Sequence, residues 1–273
     1  MMEPLGIIAG NGEFPLILSR AARQQGVGRI VAAAFDGETR PEIADAVDEV
    51  SWIKLGQLNK LIEVFTSRGV QRAVMAGGIT PSNLFKNLRL DLRMTGVALR
   101  LKERNAETIF RAIADEMAKD GVTLLEPRPF LGDAVPQPGL ITRQRMSNQQ
   151  QEDVAFGMRI AKAVSALDIG QTVVVKKGTV LAVEGFEGTD ECIRRGGALA
   201  GEEAGAVVVK VSKPNQDFRF DIPCIGTNTI DSCRAGRIAV LAIEAGSSLL
   251  LNREKILEAA NADKLCIVAT AHE

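Results

Sequence analysis

The stretch that decides the fold is Leu5-Gly-Ile-Ile-Ala-Gly-Asn-Gly12, followed by Glu13-Phe14-Pro15. Leu5–Ala9 reads as a short buried strand, Gly10-Asn11-Gly12 as the turn that leaves it, and residues 15–25 as a helix closed by Gly26. The same unit recurs outward. Arg29–Ala34 is expected as a strand ending at Asp36-Gly37, and Val50–Ile53 as another. Residues 57–68 are expected as a helix before Gly69, and Arg72–Ala76 as a strand running into Gly77-Gly78. A helix over 105–119 and a strand at Val122–Leu125 follow. Short apolar strands alternating with helices argue for a parallel sheet covered on both faces, an α/β layout of nucleotide-binding type.

Residues 126–149 carry four prolines, two glycines and the polar run Asn148-Gln-Gln-Gln151, so irregular backbone is expected there. We set domain one at 1–130, a linker at 131–149 and domain two at 150–273. In the second part the expected order is a helix over 152–166, a hairpin of Thr172–Val175 and Thr179–Val183 about Lys177-Gly178, and a short helix Asp190–Arg195 stopped by Gly196-Gly197. Then come a strand Ala206–Val211, a helix Thr227–Ala235 and a strand Arg237–Ile243. A helix Asn252–Ala262 with Asn252 as N-cap and a strand Leu265–Ala269 complete the expectation. The second domain thus reads as mixed α/β.

Composition narrows the chemistry. The chain has 273 residues, 46% hydrophobic, with a formal net charge of -1, so no general attraction to nucleic acid or anionic lipid is implied. Tyr is absent and aromatics are 4%, which argues against base-stacking platforms. The one His, His272, is next to the last residue, which argues against histidine general-base chemistry and Ser-His-Asp triads. A metal would need oxygen ligands, favouring magnesium, manganese or calcium over zinc. Cys192, Cys224, Cys233 and Cys266 form no CxxC and are expected reduced and mostly buried, as in a cytoplasmic protein. Neither a signal peptide nor an apolar run of membrane-spanning length is read.

Two glycine loops stand out in the first domain. Gly10 and Gly12 let backbone approach a ligand, and the next helix offers N–H groups to an anion; a tight strand–helix turn has the same sequence. Neither GxGxxG nor GxxxxGK[ST] is present. Gly77, Gly78 and Thr80 have the same character after a later strand, and a parallel sheet brings both loops to its carboxyl edge. Asp36 suits a ribose hydroxyl or an ordinary turn. Lys86, Arg89 and Arg93 read as a solvated face or a phosphate contact.

The second domain concentrates charge among glycines. Asp190 opens a short helix, as a first-turn acid or a metal ligand, with Arg194 and Arg195 one turn later. Lys213-Pro-Asn-Gln216-Asp217-Phe-Arg219-Phe-Asp221 follows an apolar strand. If extended, Asp217, Arg219 and Asp221 share one face, and Phe218 and Phe220 the other; a surface salt-bridge ladder looks the same. The chemical reading is metal-assisted pyrophosphate hydrolysis. A carboxylate-bound Mg²⁺ (or Mn²⁺) neutralises phosphate oxygens, Lys213, Arg194 and Arg219 stabilise developing charge, and one Asp takes a proton from water. Asp190, Asp217 and Asp221 all remain candidates for metal binding and for proton transfer.

Gly6-Ile-Ile-Ala-Gly10-Asn-Gly12 with Phe14-Pro15, Glu187-Gly-Thr-Asp190 with Ile193-Arg-Arg-Gly-Gly197, and Lys213 to Pro223 with Gly226 together resemble the LpxI-type UDP-2,3-diacylglucosamine pyrophosphatases. The resemblance spans nearly the whole chain. It implies a Rossmann-like N-terminal domain and a distinct C-terminal catalytic domain. It implies Mg²⁺-dependent hydrolysis of UDP-2,3-diacylglucosamine to UMP and 2,3-diacylglucosamine 1-phosphate, with water directed to the α-phosphorus, in bacterial lipid A synthesis. The family's critical acid matches Asp221, with Asp190 and Asp217 as partners. Gln216 and the glycine loops fall among the substrate contacts, and the lipid-sugar product lies between the domains. A homodimer and transient contact with the cytoplasmic face of the inner membrane are further expectations. Two rivals are a nucleotide-binding enzyme of another class, such as a dehydrogenase, and a noncatalytic nucleotide-sugar or phospholipid binding protein.

Overall fold

The computed structural model describes residues 3–80, 90–101, 106–203 and 205–271. The chain forms two compact units: Met1–Gly132 together with Phe218–Phe220, and Asp133–Asp217 together with Asp221–Glu273.

The first unit runs β1 (Leu5–Ala9), α1 (Phe14–Gln24), β2 (Ile30–Phe35), α2 (Ile43–Ala46), β3 (Glu49–Ile53), α3 (Leu58–Thr66), β4 (Arg72–Ala76), α4 (Leu92–Arg100), α5 (Ala106–Lys119) and β5 (Thr123–Leu125). Its sheet has the order β3-β2-β1-β4-β5 with every pair parallel, as the alternation of the sequence requires. Strand order reverses between β1 and β4, the kind of crevice where open α/β sheets take ligands. Helix α1 buries Pro15, Leu18, Ser19 and Ala22 at helical spacing, and α3 buries Leu58, Leu61, Ile62 and Phe65. Phe65 explains Gly6: a Cβ there would lie 2.7 Å from its ring.

One difference from the sequence reading concerns the basic stretch. Asp91 caps α4, accepting from Met94 N–H at 2.8 Å. Arg93 is then no solvated face. Its guanidinium pairs with Glu116 at 3.0 Å and Asp120 at 2.5 Å on α5. Lys86 and Arg89 lie outside the described residues.

The second unit runs β6 (Gly139–Leu140), α6 (Asn148–Ala166), β7 (Thr172–Lys176), β8 (Thr179–Val183), α7 (Thr189–Leu199), β9 (Ala206–Lys210), β10 (Cys224–Ile225), α8 (Thr227–Ala235), β11 (Ile238–Glu244), β12 (Leu249–Leu250), α9 (Arg253–Ala262) and β13 (Cys266–Thr270). The sheet order is β6-β13-β11-β9-β7-β8: β13, β11 and β9 are parallel, while β6, β7 and β8 join antiparallel. Period two divides the core cleanly. Val174, Val208, Leu241, Ile243 and Ile267 pack on one face, and Val173, Val175, Val207, Val209 and Val240 on the other.

Four local expectations are corrected. The stretch assigned to a linker contributes β6 to the sheet edge, and the polar run from Asn148 is the first turn of α6. Ser147 and Gln150 close a capping box there, so the helix starts earlier than its apolar periodicity. Gly196 and Gly197 do not stop α7 but sit inside it: a Cβ at Gly196 would meet Val174 at 2.5 Å, and at Gly197 the Gly236 Cα at 2.3 Å. Close packing against β7 and the α8 terminus replaces termination as their reason. Residues 218–220 form a turn rather than a strand, with the Asp221 N–H donating to the Asp217 carbonyl at 3.4 Å. Asn252 holds the N-cap position of α9 in a left-handed conformation, φ 62, without a side-chain cap bond.

Candidate active site

In the first unit the two glycine loops close on each other. Gly10 N–H donates to the Ala76 carbonyl at 2.7 Å and Asn11 N–H to the Gly78 carbonyl at 2.8 Å. A Cβ at Gly10 would sit 2.3 Å from the Gly78 oxygen, and one at Gly77, where φ is +84, 2.3 Å from the Asn11 oxygen. Backbone contact therefore requires glycine at both positions. Gly12, with φ +81, turns the chain into α1. Around them lies a polar knot that the sequence reading did not find. Glu38 is buried and accepts from Asn11 Nδ2 at 3.2 Å, Thr80 N–H at 3.0 Å and Thr80 Oγ1 at 2.9 Å. Thr80 is thus tied to Glu38, two residues beyond the Asp36 that the turn suggested.

The second unit holds a cleft of about 520 Å³. Four chain segments wall it: Asp168–Gln171 between α6 and β7, Glu184-Gly185 after β8, Lys210 and Lys213 at the end of β9, and Asp221–Cys224 leading into β10. Gly170 permits the approach of the first two, since a Cβ there would lie 2.2 Å from the Glu184 carbonyl oxygen. Hydrogen bonds fix the charges. Lys210 Nζ donates to Thr189 Oγ1 at 2.8 Å, which donates to Glu184 Oε1 at 3.0 Å. Gln171 N–H donates to Glu184 Oε2 at 3.2 Å. Lys213 pairs with Asp168, and its N–H donates to Gln216 Oε1 at 3.2 Å. Gln216 Nε2 donates to both the carbonyl and Oδ2 of Asp221, each at 3.1 Å. Two ammonium groups and three carboxylates, of which Asp221 is oriented by Gln216, thus line one cleft, and the lysines are suited to binding phosphate oxygens. Cys224 also lines it, but burial pushes its thiol up to about 12, which removes a thiolate nucleophile at neutral pH.

The family model described as the LpxI N-terminal domain matches residues 4–134, and that described as the LpxI C-terminal domain matches residues 137–268. The chain belongs to the LpxI family. A relative from Caulobacter vibrioides, UDP-2,3-diacylglucosamine pyrophosphatase LpxI, is 29% identical over 273 residues, 95% of each chain. Among solved structures, the biotin carboxylase domain of Hydrogenobacter thermophilus 2-oxoglutarate carboxylase is 15% identical, with a TM-score of 0.31 over 66% of this chain and 36% of that one. N5-carboxyaminoimidazole ribonucleotide synthetase from Thermotoga maritima is 10% identical, with a TM-score of 0.26 over 76% and 45%. This chain spans less than half of either, and at those scores the likeness carries no argument about function.

Within this LpxI chain the expected site residues separate. Asp221 and Lys213 line the cleft, and Gln216 links them. Asp190 lies in the first turn of α7 with a buried Oδ1 that has no hydrogen-bond partner among the described residues, and Asp217 is not among the lining residues. Arg194 pairs with Glu191 along α7, and Arg195 with Glu187 and the Val183 carbonyl, so neither reaches the cleft wall. Arg219 belongs with the first unit, 4.8 Å from the Phe220 ring that stacks on Phe110. The cleft adds Lys210, Glu184 and Asp168, which motif reading passed over. A lysine closing an otherwise apolar strand is a signal for Lys210, yet Lys176 closes β7 the same way and merely binds the Ala200 and Glu203 carbonyls.

Among the described residues no three carboxylate, thiol or imidazole groups gather into an ion cage. Mg²⁺ commonly binds through one or two carboxylates plus substrate phosphates, and Asp221 in a lysine-lined cleft fits that mode.

Proposed function

We propose that this LpxI-family chain hydrolyses UDP-2,3-diacylglucosamine to UMP and 2,3-diacylglucosamine 1-phosphate, a step of lipid A biosynthesis. The observation that carries the reading is the second-unit cleft, where Asp221 faces a wall that also holds Lys210 and Lys213. Hydrolysis adds water across one P–O bond of the pyrophosphate: the water oxygen bonds to phosphorus, and the bridging oxygen leaves with the other phosphate. Lys210 and Lys213 bind the phosphate oxygens and stabilise the charge that grows on them. Asp221, held by Gln216, orients the attacking water and accepts its proton. Asp221, together with substrate phosphates, would hold Mg²⁺ or Mn²⁺, which would supply charge neutralisation there.

The test is incubation with the lipid-linked UDP-sugar in ¹⁸O-labelled water, with Mg²⁺ or with EDTA. Metal-dependent appearance of UMP and the sugar 1-phosphate supports the reading; intact substrate with folded protein overturns it. The resemblance puts attack at the α-phosphorus, which carries label into UMP. Attack at the β-phosphorus carries label into the sugar 1-phosphate, and the two lysines serve either. Contact with a lipid surface is part of the proposal. No helix among the described residues is long and apolar enough to cross a membrane, while Leu167, Ile169 and Phe186 on loops at the cleft are exposed. A homodimer remains a proposal for light scattering to test.

A further inference from the structure

An ion pair lies beneath the cleft without touching it. Glu244, at the end of β11, is 2% exposed, and Lys162 Nζ on α6 lies 2.6 Å from its Oε1. Between them they take every polar group of Ser212. Its N–H and hydroxyl donate to Glu244 Oε2 at 2.9 and 2.6 Å, and its carbonyl accepts from Lys162 Nζ at 3.0 Å. The next residue is Lys213, whose N–H donates to the Gln216 side chain that in turn donates to Asp221. Burying a carboxylate, even a paired one, is seldom the cheapest way to hold a fold together, because desolvation offsets the attraction. A pair that fixes one backbone corner, one residue from the cleft, has a geometric use.

We propose that Lys162 and Glu244 are positioning residues for Asp221, acting through Ser212, Lys213 and Gln216. Without the clamp the Ser212-Lys213 corner moves, the Gln216 side chain loses its register, and the Asp221 carboxylate turns away from the attacking water. The catalytic half of the proposal rests on the role given to Asp221 above; the structural half does not.

Two readouts separate them. The first is the side-chain amide NMR signal of Gln216, assigned by its loss in Gln216→Ala. In folded Glu244→Gln and Ser212→Ala it is expected to move toward the position of a solvent-exposed glutamine. The second is turnover. The kcat of Glu244→Gln is expected to fall about 10- to 100-fold with KM within about threefold, since small misplacements near reacting groups act on rate. The double variant Glu244→Gln/Gln216→Ala is expected to be no slower than the worse single variant, as for residues on one chain of contacts. An unchanged Gln216 signal in folded variants, or losses that multiply in the double variant, overturns the proposal. If wild-type protein fails to turn over the UDP-sugar, the functional reading falls, and the Gln216 signal still decides whether the clamp positions Asp221. Ser212→Ala, which deletes only the hydroxyl bond, keeps the NMR test available if Glu244→Gln does not fold.

Discussion

Asp221→Asn keeps the shape of the side chain and an oxygen for Gln216 to bond, and removes only the charge. Turnover is expected to fall about 10²- to 10⁴-fold, the usual loss with a proton acceptor, while the melting temperature stays close to wild type. Steady-state rates and a thermal melt check both halves. Asp190→Asn is the useful contrast, because Asp190 is outside the cleft lining and its substitution is expected to act on stability first. At this scale the motif from Lys213 to Asp221 led to two residues that line the cleft, Lys213 and Asp221, and not to Asp217 or Arg219. The sequence was not legible at Glu184, Lys210 and Asp168, which stand alone in sequence and meet only through the sheet. Arg194 and Arg195 show the converse. Their motif is distinctive, yet Arg194 is answered by Glu191 one turn back and Arg195 by Glu187 ahead of the helix, and sequence cannot say which partner a cation has chosen.

Gly197→Ala tests why α7 carries two interior glycines. The added methyl would lie 2.3 Å from Gly236 backbone atoms that cannot rotate away. The loss of stability, read by chemical denaturation, is expected to be about 1–3 kcal/mol, as for overpacking, although alanine is the better helix former. Ser147→Ala, which breaks the capping box of α6, is expected to cost about 1 kcal/mol in the same assay and to leave the cleft unchanged. Strands and their alternation with helices were legible because apolar runs between glycines have few other uses. Helix ends were not. The Asn148 run reads as a loop by composition, and only Ser147 with Gln150 three residues on marks it as a helix start. Gly196-Gly197 reads as a stop because glycine is the usual terminator, while its packing against Val174 and Gly236 joins segments far apart in sequence. Asp217–Asp221 turns instead of extending, with Phe218 and Phe220 packed in the first unit, Phe218 under Arg128 at 3.6 Å.

For the whole molecule, acid should weaken the first unit in a defined window. Hydrogen bonds from Lys119 and Arg93 hold the Glu116 carboxyl well below its ordinary 4.5, at about 2. A depressed folded value means that the stabilisation is complete above the unfolded value and is lost as pH falls toward the folded one. Glu116→Gln is therefore expected to melt lower than wild type near neutrality, with the gap closing from about pH 4.5 toward about pH 2. Melting curves across that range check the sign. Metal removal should act differently. With no protein-only ion cage among the described residues, EDTA is expected to stop turnover yet leave the melting temperature of the substrate-free chain unchanged, since an ion held only with substrate does not stabilise the free protein. Both halves of the chain match LpxI models, in keeping with the two α/β domains expected from the sequence, and part of the 126–149 stretch belongs to the second sheet.

The most direct test is the initial rate of UMP release from UDP-2,3-diacylglucosamine by wild type and Asp221→Asn, side by side in Mg²⁺ and detergent. The account predicts steady release by wild type and a loss of about 10²-fold or more in a variant that melts at the wild-type temperature. Equal rates from the two proteins would contradict it and move the chemistry out of this cleft.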